Sequence, residues 1–397
     1  MSVVARSCPT VSPPVGMRPL GEVIEFRNDI VHPKDRPHGP ATFVGLEHIE
    51  RDTGIRIGSE QIRLEDMTGR RARFCRGDIV YGYLRPYLNK VWIAEFDGLC
   101  SVDQYVFKVR SIADRNYVAY FLRSDQFLKT APIGISPGQL PRIRSGEIVE
   151  TLIPLPPLDE QRRIATILDQ ADDLRRKRRQ ALEYLTLLPQ AFFTNMFGDW
   201  SRPGFNGRLF ELGERIDFLT SGSRGWAEFY RETGDLFIRI QNVKHDELDL
   251  GDVAFVNPPP TAEARRTRVQ PGDVLLSITA DLGRTAVIPT GIGDAYINQH
   301  LSIIRSSRLE PRYLSAALAS RAGQAIIQRK NREGVKAGLN FDDIRTLRVP
   351  DVPLDLQRAF AARVAEIDAL KAKHRAHLAK LDALFASLQH RAFRGEL

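Results

Sequence analysis

Four stretches of the chain place basic side chains beside small, hydroxyl or aromatic ones. They are Arg70-Arg71-Ala72-Arg73, Arg85-Pro86-Tyr87-Leu88-Asn89-Lys90, Thr220-Ser221-Gly222-Ser223-Arg224-Gly225-Trp226 and Gln328-Arg329-Lys330-Asn331-Arg332. Guanidinium and ammonium groups hold phosphate oxygens, and Arg or Ser side chains can also bond to base edges. Ordinary solvated loops carry such residues too, so each cluster counts as a whole. The candidates within them are Arg70, Arg71, Arg73, Arg85, Lys90, Ser221, Arg224, Trp226, Lys330 and Arg332. Lys plus Arg number 57 against 49 Asp plus Glu, a formal charge of +8 that suits a polyanionic partner.

Residues that could do covalent chemistry are harder to find. Asn257-Pro258-Pro259-Pro260 has the start of an adenine-methyltransferase motif but lacks the aromatic that stacks on the base, and no G-x-G-x-x-G turn is present to hold a cofactor. It reads as a turn. The chain has no Gly-Lys dipeptide, hence no P-loop, and no Glu-x-Lys for a metal-dependent nuclease. His374 and His377 are three residues apart on a helical pattern without a third ligand nearby, and His374 falls on the apolar stripe. The expectation is a reader or scaffold with no catalytic residue, no metal and no cofactor of its own.

What positions the basic clusters is a duplicated framework. Ile153-Pro154-Leu155-Pro156-Pro157-Leu158-Asp159-Glu160-Gln161-Arg162 stands against Val349-Pro350-Asp351-Val352-Pro353-Leu354-Asp355-Leu356-Gln357-Arg358, 196 residues on. Arg76-Gly77-Asp78-Ile79-Val80 matches Pro271-Gly272-Asp273-Val274-Leu275, Asp103-Gln104 matches Asn298-Gln299, and Leu20-Gly21-Glu22 recurs as Leu212-Gly213-Glu214. Offsets drift only between 192 and 196.

A long helix follows each copy. Stripe positions run Ile164, Leu168, Ala171, Leu174, Arg178, Leu182, Leu185, Leu188, Phe192, Met196, and again Phe360, Val364, Ile367, Leu370, His374, Leu378, Leu381, Leu384, Leu388, Ala392. Steps of three and four give a coiled-coil period, and the shared polar break at Arg178 and His374 predicts paired helices. The pairing is expected to be antiparallel, because the intervening module carries the chain back. Each helix spans about 60 Å at about 1.5 Å per residue. Pro189 should remove a backbone hydrogen bond and kink the first helix.

The expected fold class is α+β: two α/β modules separated by two long helices that form an antiparallel coiled coil, with a pseudo-twofold repeat. Residues 1–19 read as a loose tail, 20–153 as the first module, 154–198 as the first long helix, 199–349 as the second module and 350–397 as the second helix. Strand-like runs in the modules include 41–46, 78–83, 90–94, 236–240, 273–278 and 301–304, with short helices near 117–127 and 312–327, which predict a twisted, partly closed sheet. No run of 18 apolar residues exists, and three cysteines without metal or redox spacing fit a reducing cytosol.

This layout resembles that of type I restriction–modification specificity subunits. Ile153 to Ile164 looks like the family's Pro-Pro-Leu-x-Glu-Gln signature, Met196-Phe197-Gly198-Asp199 like the end of its first conserved helix, and Leu388 to Leu397 like its C-terminus. Leu356 in place of Glu160, and Pro189, depart from the pattern. The resemblance implies that each module is a target-recognition domain reading one half of a split, asymmetric site in double-stranded DNA. The helices, carrying Leu168, Leu182, Leu185, Val364, Leu378 and Leu381, would act as ruler and as docking surface. Two methyltransferase subunits would dock there, and two restriction subunits would join for cleavage. S-adenosylmethionine, ATP and Mg would sit on those partners. A DNA turn of about 34–36 Å lets such a ruler hold two readers on neighbouring turns. The alternatives are a single-chain restriction–methylation enzyme or a fragment of one, and a coiled-coil scaffold with no DNA role.

Overall fold

The computed structural model describes residues 16–131, 133–134, 140–222, 224–331 and 338–397. The chain divides into two compact units, residues 1–178 with 377–397, and residues 179–376. Each unit holds one module and half of each long helix. None of the described helices is long and apolar enough to cross a membrane.

Among the described residues, unit 1 contains two larger sheets and a two-stranded one rather than one partly closed sheet. The first is antiparallel, in the order Ile24–Phe26, Gln104–Val109, Ile79–Gly82, Val91–Ile93. The second runs Ile30–Val31, Arg71–Phe74, Gly98–Ser101, Pro40–Val44, Glu60–Arg63, with Pro40–Val44 parallel to Gly98–Ser101. Unit 2 repeats the scheme. Its first sheet is ordered Phe218–Ser221, Leu301–Arg305, Val274–Ser277, Thr285–Val287, and its second has Asp235–Ile238 parallel to Ala295–Ile297. Duplication of sequence is thus duplication of the four-stranded sheet, while the second sheets share their parallel pair and differ in their other strands. Met17–Pro19 forms a strand against Leu152–Pro154, so the ordered first module starts inside the expected tail.

Two module helices replace each single helical stretch expected from the sequence. Arg115–Leu122 is followed by Asp125–Thr130, and Pro311–Ala319 by Arg321–Lys330. The breaks fall at Ser124 and Ser320, 196 residues apart, whose hydroxyls accept from the N–H of Phe127 and Gly323. A serine that caps a new first turn ends the preceding helix at the same point.

The long helices run Leu158–Phe197 and Leu354–Ala392. In unit 1 the N-terminal half of the first meets the C-terminal half of the second, and in unit 2 the reverse halves meet, so they pack antiparallel. Ile164, Leu168 and Ala171 share a core with Phe385, Ala392 and Phe393, and with Tyr117 and Phe121 of the module. In unit 2, Phe193 and Phe197 pack on Phe360 and Tyr313.

The buried face departs from the heptad stripe in a regular way. Leu174, Leu188, Leu370 and Leu384 are exposed, while Arg175, Pro189, Lys371 and Phe385, one residue on from each, lie toward the interior. Phe193 is fully buried and Phe192 only partly. A straight α-helix turns every 3.6 residues, so a strict 3.5-residue stripe walks off the buried side within a few heptads. The helix is continuous through Pro189, whose ring is buried where the second copy buries Phe385.

A buried glutamine joins each helix to its module. Gln161 Oε1 accepts from the Asp114 N–H at 2.8 Å, and its Nε2 donates to the carbonyls of Pro156 and Ile112. Gln357 Oε1 accepts from the Glu310 N–H at 2.9 Å, and its Nε2 donates to the Val352 carbonyl. Asp114 and Glu310 are the residues that open the first module helix of each unit. Tyr117 and Tyr313 add matching bonds to the carbonyls of Pro154 and Pro350, both 2.7 Å. Replacing Gln161 by Ala orphans one buried donor and two acceptors, and should destabilise unit 1 by about 2–4 kcal/mol in a urea melt. A loss under about 0.5 kcal/mol would show that the glutamine is dispensable.

Unit 2 has a further lock. The tight turn closed by the Val243–Leu248 bridge places Asp246 at φ 61°, and the Ser315 hydroxyl donates to its carboxylate. Glu247 accepts from Lys371 at 3.0 Å and from Arg375 at 2.6 Å. Burial works against the charge on Glu247, but Arg375 and Lys371 outweigh it and hold its pKa below the ordinary value. Burial pushes the Asp246 carboxyl up to about 6. The folded state therefore holds a proton there that the unfolded chain releases near its ordinary value of 3.8. Stability must then fall as pH rises between those two values, and the penalty stays above the upper one. Asp246→Asn keeps an acceptor for Ser315 and tolerates the left-handed backbone. It should be more stable than the parent chain at pH 7.5 by about 1–2 kcal/mol, with thermal melts converging at acid pH. Equal melting of the two at pH 7.5 would show that Asp246 ionises freely.

Candidate nucleic-acid interface

In unit 1 the strand Arg71–Phe74 lies between Ile30–Val31 and Gly98–Ser101. Alternation along a strand puts Arg71 and Arg73 on one face and the buried Ala72 and Phe74 on the other. Arg70 is exposed in the preceding turn. Arg71 lies 4.9 Å from the Phe43 ring centroid, and Arg73 pairs with Asp29 at 3.2 Å with both side chains about half exposed. These three arginines come together. Arg85 and Lys90 flank a separate turn. Arg85 is exposed at φ 50°, beside the half-exposed Tyr87. Lys90 points inward, its ammonium donating to the Leu46 carbonyl at 2.6 Å, which makes it a brace for the 46–48 turn.

In unit 2 the cluster at 220–226 separates by depth. Trp226 is buried, stacked on Phe237 at 5.1 Å and tilted on Tyr296 at 5.4 Å. Its indole anchors the segment and is not offered to a base. Gly225 turns with φ 81°, and Arg224 beside it is exposed. Ser221 lies in the strand Phe218–Ser221, and its carbonyl, like the Thr220 hydroxyl, accepts from Arg266. That arginine, 45 residues away, carries no local signal in the sequence. Lys330 ends its helix with a bond to the Thr346 hydroxyl. Arg332 lies outside the described residues.

Two polar groups invite other chemistry. Glu47, His48 and Glu60 offer ligand atoms within 4.8 Å of one another. His48 Nδ1 accepts from the Gly45 N–H, however, which leaves the ring proton on Nε2, the nitrogen that faces Glu60. Asn242 does the same for Arg239 in unit 2, so the imidazole is a turn cap. Gln104, the partner of Gln299 in the repeat, accepts from the Ser101 N–H; its buried Nε2 has no bond among the described residues and the side chain lines a cavity of about 510 Å³ beside Ala72.

Residues 72–184 match the family described as the type I restriction modification DNA specificity domain. A 180-residue stretch is 31% identical to the EcoDI type I restriction enzyme specificity subunit of Escherichia coli, covering 44% of this chain and 40% of that one. A 364-residue alignment with the Escherichia coli EcoBI specificity subunit is 22% identical and covers 81% and 73%. Over these stretches the chain is similar to the type I restriction–modification specificity subunits. The first of these alignments spans less than half of its relative's length. Among solved structures, a chain from a study of assembly and conformational transition in the type I restriction–modification system superposes with a TM-score of 0.61 at 22% identity, covering 98% of this chain and all of that one. The S subunit from M. genitalium gives 0.53 at 16% identity. Both share the fold.

Leu168, Leu185 and Val364 are buried, and Leu182, Leu378 and Leu381 are half-buried on the same face. Leu168 and Val364 belong to the cores that join the helices to their modules. In unit 1 the exposed apolar positions are Leu174 and Leu384; in unit 2 they include Tyr184, Leu187, Leu188 and Leu370.

Arg70→Ala with Arg73→Ala should lower the slope of log affinity for DNA against log salt by about 1 per lost phosphate contact, alike on all sequences. Trp226→Ala should instead cost about 3–5 kcal/mol of unit 2 stability. Anisotropy titrations at several salt concentrations measure the first and thermal melts the second. An unchanged slope in the double variant would remove the Arg71–Arg73 face from the interface.

Proposed function

We propose that this chain reads an asymmetric, two-part site in double-stranded DNA for a type I restriction–modification complex, one half-site per module. The observation that carries this reading is the duplicated unit itself. Two modules that share a four-stranded sheet and a parallel strand pair are each bound by a buried glutamine to one of two antiparallel helices, in a chain similar to specificity subunits. Shared topology with different exposed basic residues is what two readers of different base sequences require. The modules agree at Gln161 and Gln357 and differ where Arg70, Arg71 and Arg73 stand on one and Arg224 on the other.

The paired helices separate the readers and dock methyltransferase subunits through their exposed sides. Those subunits supply S-adenosylmethionine and the base-flipped adenine site, and restriction subunits with ATP and Mg join for cleavage. The chain alone then transfers no methyl group.

Exchange of residues 199–349 for the matching module of a relative tests the division of labour. Methylome sequencing of a host carrying the hybrid should show one half of the methylated site changed and the other, read by residues 20–153, retained. A hybrid that methylates with both halves altered, or with neither altered, means that the modules do not read independently.

A further inference from the structure

The repeat extends upstream of the Gly-Asp turns to residues that the framework does not use. Arg70-Arg71-Ala72-Arg73 and Arg265-Arg266-Thr267-Arg268 stand in ungapped register at an offset of 195, which is also the offset of Asp78 and Asp273. The backbone beneath them differs. Arg71 and Arg73 lie in the strand Arg71–Phe74, whereas Arg265 and Arg266 lie in the short helix Ala262–Thr267. The burial pattern is the same. Ala72 and Phe74 are buried in one copy, Thr267 and Val269 in the other, and the first and third arginines are exposed in both.

Each arginine also keeps its kind of environment. The second is braced against its own module. Arg71 lies over the Phe43 ring and donates to the Arg70 carbonyl at 3.1 Å, and Arg266 donates to the Thr220 hydroxyl and the Ser221 carbonyl. The third pairs with a carboxylate, Asp29 for Arg73 and Asp294 for Arg268, supplied from different segments of the two modules. It keeps its side of the sheet as well. Arg268 stands opposite Tyr296, and Arg71 stands opposite Ser101, the counterpart of Tyr296. The pairing has slipped by two residues, and a slip of two returns the side chains to the same face. The first arginine, Arg70 or Arg265, has neither an ion pair nor a side-chain hydrogen bond among the described residues. Exposed side chains elsewhere have diverged between the copies, as Tyr184 and Leu187 have from Lys380 and Ala383. An arginine that supports nothing in its own fold is nonetheless present in both.

We propose that Arg70 and Arg265 are equivalent contacts to the phosphate backbone of DNA, one in each half-site. The inference rests on the reading that each module binds half of a split DNA site. The modules differ in their other exposed basic residues, so a contact kept in both meets a feature that both half-sites contain. Base edges differ between the halves of an asymmetric site, and the phosphodiester backbone does not. A guanidinium suits it, because its planar fork offers two parallel N–H donors to two phosphate oxygens. An acidic surface on the methyltransferase subunits is the other feature common to both halves. The arginines belong to the modules, however, and docking is assigned to the helices.

The complex of this chain with its co-encoded methyltransferase subunits is titrated onto a duplex carrying the methylated site mapped in the host, and onto a scrambled duplex. Anisotropy at a series of salt concentrations gives the slope of log affinity against log salt. Arg70→Ala and Arg265→Ala should each lower it by about 0.9 on both duplexes, and together by about 1.8. Assembly, melting temperature and the methylated sequence should stay as in the parent. Arg265→Lys should keep the slope. Arg63→Ala, which removes an exposed arginine already paired with Glu65, should keep it too. The proposal is overturned if Arg70→Ala or Arg265→Ala keeps the parent slope. It is overturned if Arg63→Ala lowers the slope equally, which makes the effect one of net charge. It is equally overturned if either arginine variant alters the preference at one base pair, the mark of a base contact, or weakens assembly at an unchanged slope, the mark of a protein contact. A parent complex that binds neither duplex overturns the DNA reading itself, and this proposal with it.

Discussion

In both units a carboxamide on the first turn of a long helix accepts a hydrogen bond from the backbone N–H that opens the first module helix, and donates to the carbonyl of the linker. Gln161 and Gln357 are each almost wholly inaccessible to solvent. A buried amide with both ends engaged permits one arrangement of the groups it bridges, because any other strands polar atoms away from water. Module orientation on its helix is set there. The matching Tyr117 and Tyr313 hydroxyls bind the linker carbonyl three residues before the last proline, Pro157 in one unit and Pro353 in the other. What each module presents to its surroundings depends on this joint, since a sheet that turned on its helix would carry its arginines with it.

Around the joint, the two copies have solved one packing problem twice with different side chains. The aspartates of the repeated Gly-Asp turns, Asp78 and Asp273, both close their turn and receive an arginine fork, from Arg27 in one unit and Arg305 in the other. His48 and Asn242 cap equivalent turns with a ring nitrogen and an amide oxygen. Conserved geometry with exchanged chemistry shows where the backbone is the constraint. The surface shows the opposite: the helix faces away from the cores carry Tyr184 and Leu187 on one copy and Lys380 and Ala383 at the same positions on the other.

Charge is used in two ways. Much of the surface basicity is spent locally, on pairs such as Arg63 with Glu65 and Arg268 with Asp294, which screen one another and leave little field for a distant polyanion. A smaller set, including Arg70, Arg85 and Arg224, is exposed beside turns with little to neutralise it. Net charge alone would not separate these groups.

The sequence by itself determined the duplication, the two long helices and their direction, and the strand runs from Ile79 and Val274. These rest on periodicity and on matched offsets, which are local or need only comparison of the chain with itself. It also pointed to Gln161 and Gln357 through their repetition, without revealing what they bind. Tertiary structure decided which helix face is buried. The 3.5-residue stripe and the 3.6-residue helix agree over one heptad and part over several, so Leu174 emerges and Arg175 goes in. It decided that Trp226 and Lys90 serve the fold, because their partners Phe237 and Leu46 lie on other strands and turns. It also decided that Glu247 reaches Lys371, a pairing across 124 residues. Contacts of that range arise only when sheets and helices are assembled, and no spacing along the chain records them.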